Sequence, residues 1–501
     1  MSRIASLIPF FVILPLGGAF LVSIAKSKVK GFPDLLGVLT TAGLLIASLV
    51  SVSVANRYGV LVYSVGLWRP PLGIALVLDS LTSFMLVTVN LVAFAIAVYS
   101  IQYMRRYTSK WKFHTLFLLM LAGMNGVIIT GDIFKLFVFL DIASVASYAL
   151  VAFGTEKHEL EAAFKYAVMS SVGSTFILFG IAFLYSYTST LNMADMALFL
   201  TTKGHSNILT LVSILFIMGF GMKAALVPFH AWLPDAHPSA PAPISAMLSG
   251  VLIKSLGVYA LCRIFFNVFG VTREILSIFM FLGALSMVTG VFLAIGQWDL
   301  KRLLAYHSIS QIGYVVLGLG LGTPLGILGG LFHLFNHSVF KSLLFLNSGA
   351  LEYATGTRDL QKMGGLMQKM PVTGTTSLVA SMAIAGIPPF SGFWSKLIII
   401  LAAVQAGQNW YAFWAVVASL LTLASFTKVM KYAFFGRLNE AWSRIKEVPI
   451  FMRLSMTLLA LACLFGGMLW IPSINEVFLK QAAGVLSGGR DYAKIVFSHI
   501  R

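Results

Sequence analysis

Apolar stretches of about 20 residues alternate with short polar connections from one end of the chain to the other, each long enough to cross the roughly 30 Å hydrocarbon layer as a helix. The runs lie near residues 5–25, 33–54, 74–101, 113–130, 132–153, 162–187, 208–229, 242–266, 274–295, 303–322, 325–351, 374–404, 409–435 and 452–473. They predict about fourteen transmembrane helices. The longest polar inserts, roughly 352–371 and 436–450, are loop-sized. The expected fold class is an all-α polytopic membrane protein, a single integral membrane unit over residues 1–501.

Composition strengthens this reading: 58% of the 501 residues are hydrophobic and 10% are charged, too apolar for an ordinary soluble protein. The net charge of +18 is spread over short connections. With the N-terminus outside, the inward connections hold Lys26, Lys28 and Lys30, then Arg105, Arg106, Lys110 and Lys112, then Lys301 and Arg302, then Arg358, Lys362 and Lys369, then Arg437, Arg444 and Lys446. The outward ones are poorer, with Arg57, Arg69, Lys203 and Arg273. The positive-inside rule therefore predicts both termini outside. No soluble domain presents the basic residues together, which argues against nucleic acid as a partner. The first apolar segment reads as a span and not as a removed signal peptide. The two cysteines, Cys262 and Cys463, fall short of the four thiolates that normally hold an iron–sulfur cluster, so the chain is expected to carry no redox site, cofactor or metal of its own.

Several spans contain charge where lipid would favour leucine. Lys223, Lys254, Lys341 and Lys396 each lie inside an apolar run, and Asp141 lies in another. A Lys or Asp at the centre of a spanning helix costs about 2.5–3.5 kcal/mol on insertion scales, so these groups must pair or hydrate within the protein. Ser144 and Tyr148, three and seven residues after Asp141, share its helical face. A carboxylate and an ammonium whose separation changes can exchange a proton; a static ion pair that fixes helix packing is the plain alternative. His333, His337 and Lys341 form one stripe at four-residue spacing, suited to a proton relay, or to histidines bonded to neighbouring carbonyls. A zinc site would need a further ligand beside the two histidines. Lys254 sits mid-span with Ser255 and Gly257 allowing a close neighbour. Asp79, Asp132 and Lys135 lie nearer span ends, from which a side chain can snorkel to the interface, and the sequence assigns them no role.

Two spans are interrupted by proline beside a lysine, at Pro228 after Lys223 and at Pro388 and Pro389 before Lys396. A proline removes a backbone donor and crowds the carbonyl four residues earlier, here those of Ala224, Ile384 and Ala385. Such carbonyls are tolerated in a membrane only where protein or water satisfies them, and paired broken spans point to a transport path. Lys223 precedes its proline whereas Lys396 follows its own, so no simple internal duplication is legible.

Three segments carry a family resemblance: KAALVPFHAWLPDAHPSAPAPIS over 223–245, DLKRLLAYHSISQIGY over 299–314 and GIPPFSGFWSK over 386–396. Together they resemble the antiporter-like subunits shared by respiratory complex I, Mrp-type cation/proton antiporters and archaeal membrane-bound hydrogenases and sulfur reductases. The resemblance covers nearly the whole chain. It implies two inverted five-helix repeats, over 113–266 and 274–435, between N-terminal helices in 1–101 and a C-terminal helix and tail in 452–501. It also implies broken seventh and twelfth helices and a polar axis halfway across the membrane. On this resemblance a helix-five acid, Asp141, pairs with the helix-seven Lys223, and Lys254, His333, His337, Lys341 and Lys396 continue the path. The family acid is usually Glu, and Asp141 is one methylene shorter, which would lengthen the contact. Length and the text of helix eleven are most similar to the D-type Mrp subunit and its counterparts in archaeal hydrogenase and sulfur-reductase complexes.

The expected function is a proton-translocating subunit of a redox-driven, multisubunit complex in a prokaryotic plasma membrane. A proton would pass from Lys223 through Lys254, His333, His337 and Lys341 to Lys396. Expected partners are other membrane subunits and a peripheral redox arm holding iron–sulfur clusters, with or without nickel. A stand-alone Mrp sodium/proton antiporter and a structural scaffold are the alternatives.

Overall fold

The computed structural model describes residues 2–26, 31–68, 73–204 and 206–500. Lys28, Lys30 and Arg69 of the basic connections, and the side chain of Ser255, lie outside the described residues. After a short N-terminal turn of helix come α1 (Phe10–Ala25), α2 (Phe32–Tyr58), a hairpin of β1 (Leu61–Ser64) and β2 (Ala75–Leu78), α3 (Ser80–Tyr103), α4 (Lys110–Ile129), α5 (Ile133–Val151), α6 (Lys157–Thr188) and α7 (Met193–Lys203). Then follow α8 (Asn207–Ala224), α9 (Leu233–Ser239), α10 (Ala242–Phe269), α11 (Arg273–Ile295), α12 (Leu300–Gly320) and α13 (Pro324–Thr355). The chain ends with α14 (Pro371–Ala385), α15 (Ser391–Gln405), α16 (Asn409–Phe434), α17 (Ile450–Phe465), α18 (Leu479–Ser487) and α19 (Asp491–Ile500).

Among the described residues eleven helices are long and apolar enough to cross a membrane, and α1, α14 and α15 are shorter apolar helices. The protein is therefore a polytopic, all but wholly helical membrane protein. The expected span at 74–101 begins instead with strand β2, antiparallel to β1 with Leu61 opposite Leu78. A short apolar run does not distinguish strand from helix. Asp79 marks the switch, its carboxylate accepting from the Thr82 amide at 2.8 Å to cap α3.

Asp79 does not snorkel. It is fully buried against Arg263, 2.8 Å away, in a cluster with Thr82, Tyr259 and Asn267. Asp132 is also buried and caps α5 through the Lys135 amide at 2.7 Å. Both acids are held by donors inside the bundle, which removes the reason to reach for water.

A backbone pattern recurs between α5–α8 and α12–α15. Asp132 pairs across an isolated bridge with Asn192, and Asp299 with Asp359. Each of these four residues caps the helix that follows it. The 32-residue helices α6 and α13 both end on a left-handed residue, Ser189 and Gly356, before that bridge. The two helix breaks match bond for bond. Leu226 donates to the Gly221 carbonyl and Phe229 to Leu226, as Ile387 donates to Met382 and Phe390 to Ile387. The left-handed turn residues are Ala225 and Gly386, and the prolines three residues on, Pro228 and Pro389, both follow cis peptide bonds. The lysines sit on opposite sides of the two breaks while the carbonyl geometry is shared, so the backbone pattern recurs where the side-chain pattern does not.

Candidate functional site

The site is assembled where the broken helices cross the bundle. In the first half, α5 supplies Asp141 and Ser144, α6 supplies Ser170 and Ser174, and α8 supplies Lys223 in its last turn. The Lys223 ammonium lies 3.9 Å from Asp141 Oδ1 and donates to Ser144 Oγ at 3.0 Å and Ser170 Oγ at 2.5 Å. Ser174 Oγ donates to Asp141 Oδ1 at 2.6 Å. The pair is thus drawn apart and filled with hydroxyls, as the shorter acid implies. Its two members differ in surroundings: the Lys223 side chain is 3% exposed and that of Asp141 38%. Asp141 opens to a lateral pocket of about 250 Å³ lined by Phe137, Tyr148, Ser171 and Thr175. Tyr148 packs edge-on against Tyr166, which stacks on Trp232 at 4.2 Å. The Trp232 indole donates to the Met222 carbonyl at 3.0 Å and so closes the first break.

Lys254 occupies the middle of the bundle on α10, which widens into π-type turns at Leu248–Leu252, Lys254–Tyr259 and Arg263–Phe269. Such turns gather at functional positions because they free backbone groups and re-aim side chains. The Lys254 ammonium bonds the carbonyl of Ser249, five residues back and inside the widened turn. Two glycines locate it. A Cβ on Gly257 would meet the Ala224 backbone at 2.6 Å, next to Lys223, and one on Gly250 would strike Ser342 Oγ, next to Lys341. Lys254 therefore stands between Lys223 on one side and Lys341 on the other.

The second half is built from α12, α13, α15 and α16. His333 is bonded through both ring nitrogens, to Ser395 Oγ at 2.9 Å and Gln311 Oε1 at 3.2 Å. His337 stacks one turn on, ring centroids 6.4 Å apart. His337 and the Lys341 ammonium are fully buried with no protein hydrogen bond among the described residues, and Lys341 Nζ lies 5.8 Å from the centre of the Phe345 ring. Lys396 Nζ lies 4.8 Å from the centre of the Tyr314 ring, and Tyr314 lies 5.4 Å from the His333 ring. The stripe on α13 thus has its His333 end beside Lys396 and its Lys341 end beside α10, where Ser342 meets Gly250.

The proline argument holds at the second break. Lys396 Nζ donates to the freed Ile384 carbonyl at 2.7 Å, and Ser419 Oγ donates to the Ala385 carbonyl at 2.8 Å. At the first break, Val227 donates to Ser286 Oγ at 2.9 Å. Sequence reasoning did not find Ser170, Ser174, Gln311, Ser395 or Ser419. Each is a common residue in membrane helices and gains meaning only from a partner on another helix.

The family described as NADH:quinone oxidoreductase/Mrp antiporter, TM, matches residues 130–422, and that of NADH-ubiquinone oxidoreductase (complex I), chain 5 N-terminus, matches 70–114. The D-type subunit of the Na(+)/H(+) antiporter of Alkalihalophilus pseudofirmus is 37% identical over 439 residues, 86% of each chain. Among solved structures, a chain of the Mrp complex from Dietzia sp. DQ12-45-1b superposes with a TM-score of 0.91 at 27% identity, covering 100% of both chains. A chain of the archaeal membrane-bound sulfane sulfur reductase gives 0.88 at 30% identity, covering 98% of this chain and 99% of that one. The chain belongs to the NADH:quinone oxidoreductase/Mrp antiporter family and is an antiporter-like membrane subunit of Mrp-type or complex I-like assemblies.

Proposed function

We propose that this chain translocates protons as the D-type subunit of an Mrp-type cation/proton antiporter in a prokaryotic plasma membrane, with both termini outside. The observation that carries the reading is the buried line from the Asp141–Ser–Lys223 cluster through Lys254 to the His333, His337 and Lys341 stripe and Lys396, anchored at a broken helix on each half. Ammonium and imidazole groups with few protein partners can gain and lose protons through water without dismantling the fold. Movement of Lys223 between the hydroxyls of Ser144 and Ser170 and the carboxylate of Asp141 would change its proton occupancy and feed Lys254. The Alkalihalophilus relative favours the antiporter assembly over a redox-driven one. The redox-driven reading is supported by the likeness to the sulfane sulfur reductase chain.

Lys223→Ala is expected to abolish coupled proton movement in everted vesicles containing the whole assembly, with the assembly itself intact. Unchanged proton movement in that variant would overturn the reading. Purification from native membranes with iron and nickel assays separates the two assemblies. Metal-free hydrophobic partners mean an antiporter, and iron–sulfur partners mean a redox-driven pump.

A further inference from the structure

The two helix breaks differ in what lies beside them. The first is closed from within by the Trp232 indole on the Met222 carbonyl. The second borders a cavity of about 730 Å³ between the start of α15 and the chain that leaves α17, lined by Pro389, Trp394, Phe465, Met468, Trp470 and Ile471. Phe465, Met468 and Ile471 are each about half exposed, so the walls are apolar and open to the side. Glycines at 466 and 467 bring the chain against Ser391 and Trp394, where a Cβ would meet them at 3.1 and 2.9 Å, and put no side chain into the hollow.

The cavity runs from the middle of the membrane to its surface. Its deep end is the break itself, set between the 15-residue helices α14 and α15. Its shallow end is formed by residues 475–480, which Phe478 holds at the level of the second turn of α3, its ring centre 5.2 Å from that of Phe84. That depth is one leaflet, about 15 Å, half of the hydrocarbon layer.

Polar groups gather at the shallow end. Asn475 Oδ1 is a buried acceptor with no donor among the described residues. Beside it the Glu476 carboxylate and the Lys480 ammonium lie 3.6 Å apart, their side chains 66% and 65% exposed. An ion pair so open adds little to stability, and its members are free to take other partners. The mouth therefore offers two acceptors and one cation above an apolar hollow, the composition of a ligand site with a few polar groups that fix orientation.

An occupant that suits both ends carries an apolar chain below and, above it, an ammonium with N–H donors next to an anion. Phosphatidylethanolamine has these parts: its ammonium can donate to Asn475 Oδ1 and Glu476, and its phosphate can accept from Lys480. Phosphatidylcholine has no N–H on its ammonium, and phosphatidylglycerol brings no cation to Glu476. We propose that this cavity binds one phosphatidylethanolamine molecule, headgroup at Asn475, Glu476 and Lys480, whose acyl chain lies against Pro389 and Trp394 and braces the break that precedes Lys396.

The test is photolabelling of the complete purified assembly in mild detergent, using phosphatidylethanolamine with a diazirine on its acyl chain, followed by peptide mapping. It is run on the parent and on the double variant Glu476→Gln with Lys480→Gln, which alters only exposed side chains. In the parent, label is expected on residues 389–394 and 464–472, displaced about tenfold more effectively by unlabelled phosphatidylethanolamine than by phosphatidylcholine or phosphatidylglycerol, the scale of a hydrogen bond to a charged group. The double variant is expected to need about tenfold more lipid for half-maximal labelling. Equal displacement by the three lipids means bulk lipid only and overturns the site. Label elsewhere on the chain with none in these two segments means that a neighbouring subunit fills the cavity, which also overturns it, as does a double variant that labels like the parent. Labelling needs no ion flux, so its outcome is independent of the proposed proton translocation.

Discussion

The two helix breaks share a backbone pattern and differ in how they neutralise a lysine. Before the first break Lys223 faces an acid through a screen of hydroxyls, with Asp141 half-open to the side of the protein. After the second break Lys396 has no carboxylate within ion-pair distance among the described residues and rests on the Ile384 carbonyl that proline has freed. A lysine held by an acid responds to any charge brought near that acid, because the Coulomb energy of the pair changes with separation. One held by a backbone carbonyl is fixed by the fold. On the proposed mechanism the first half receives an electrostatic signal and the second holds a proton until a neighbour accepts it.

Exchanging each lysine tests this difference most strongly. Lys396→Met is expected to abolish coupled flux, as Lys223→Ala does, because the two stand in series on the axis. It should also destabilise the protein by about 1–3 kcal/mol, since the buried Ile384 carbonyl loses its donor. Lys223→Ala should cost less stability, because Asp141 is 38% exposed and can turn to water. Thermal unfolding of the purified assembly, set beside flux, checks both. Equal unfolding temperatures for the two variants would mean that the lysines are held alike.

The acid is the next lever. Asp141→Asn removes the only carboxylate within ion-pair distance of Lys223 among the described residues and is expected to reduce flux about tenfold, on the scale of a hydrogen bond to a charged group. Asp141→Glu adds one methylene, closes the 3.9 Å separation and is expected to keep flux near the parent value. A Glu variant as weak as the Asn variant would show that the hydroxyl-filled gap itself is required.

Much of this was legible in the residues alone. Charge in an apolar run is conspicuous because its insertion cost has to be recovered, and that argument found Asp141, Lys223, Lys254, Lys341 and Lys396. Proline chemistry named Ile384 and Ala385 as stranded carbonyls, and both are capped. What escaped notice depends on contacts between distant segments. Asp79 looked like a residue at a span end until Arg263, 184 positions away, was found against it. Periodicity put His333, His337 and Lys341 on one face of α13 but could not say which neighbour each end meets, and it is the His333 end that lies beside Lys396. The β hairpin was missed because a short apolar run fits either geometry.

The smallest effect gives the sharpest comparison, because serine serves both lysines differently. Ser170 Oγ accepts from Lys223 at 2.5 Å beside the Ser144 hydroxyl, whereas Ser419 Oγ lies 3.4 Å from Lys396, which already holds the Ile384 carbonyl at 2.7 Å. Ser170→Ala should therefore cost the first half about 1 kcal/mol of ammonium stabilisation, a roughly fivefold loss of flux. Ser419→Ala leaves the shorter bond of Lys396 in place, and its cost falls instead on the Ala385 carbonyl, so stability should drop by about 1 kcal/mol. Flux through this variant is expected to stay near the parent value, because Lys396 keeps the Ile384 carbonyl, and a loss as large as that of Ser170→Ala would show that the Ser419 hydroxyl does more than close the break. Measuring flux and unfolding temperature on the same two preparations separates a hydroxyl that carries charge from one that seals backbone.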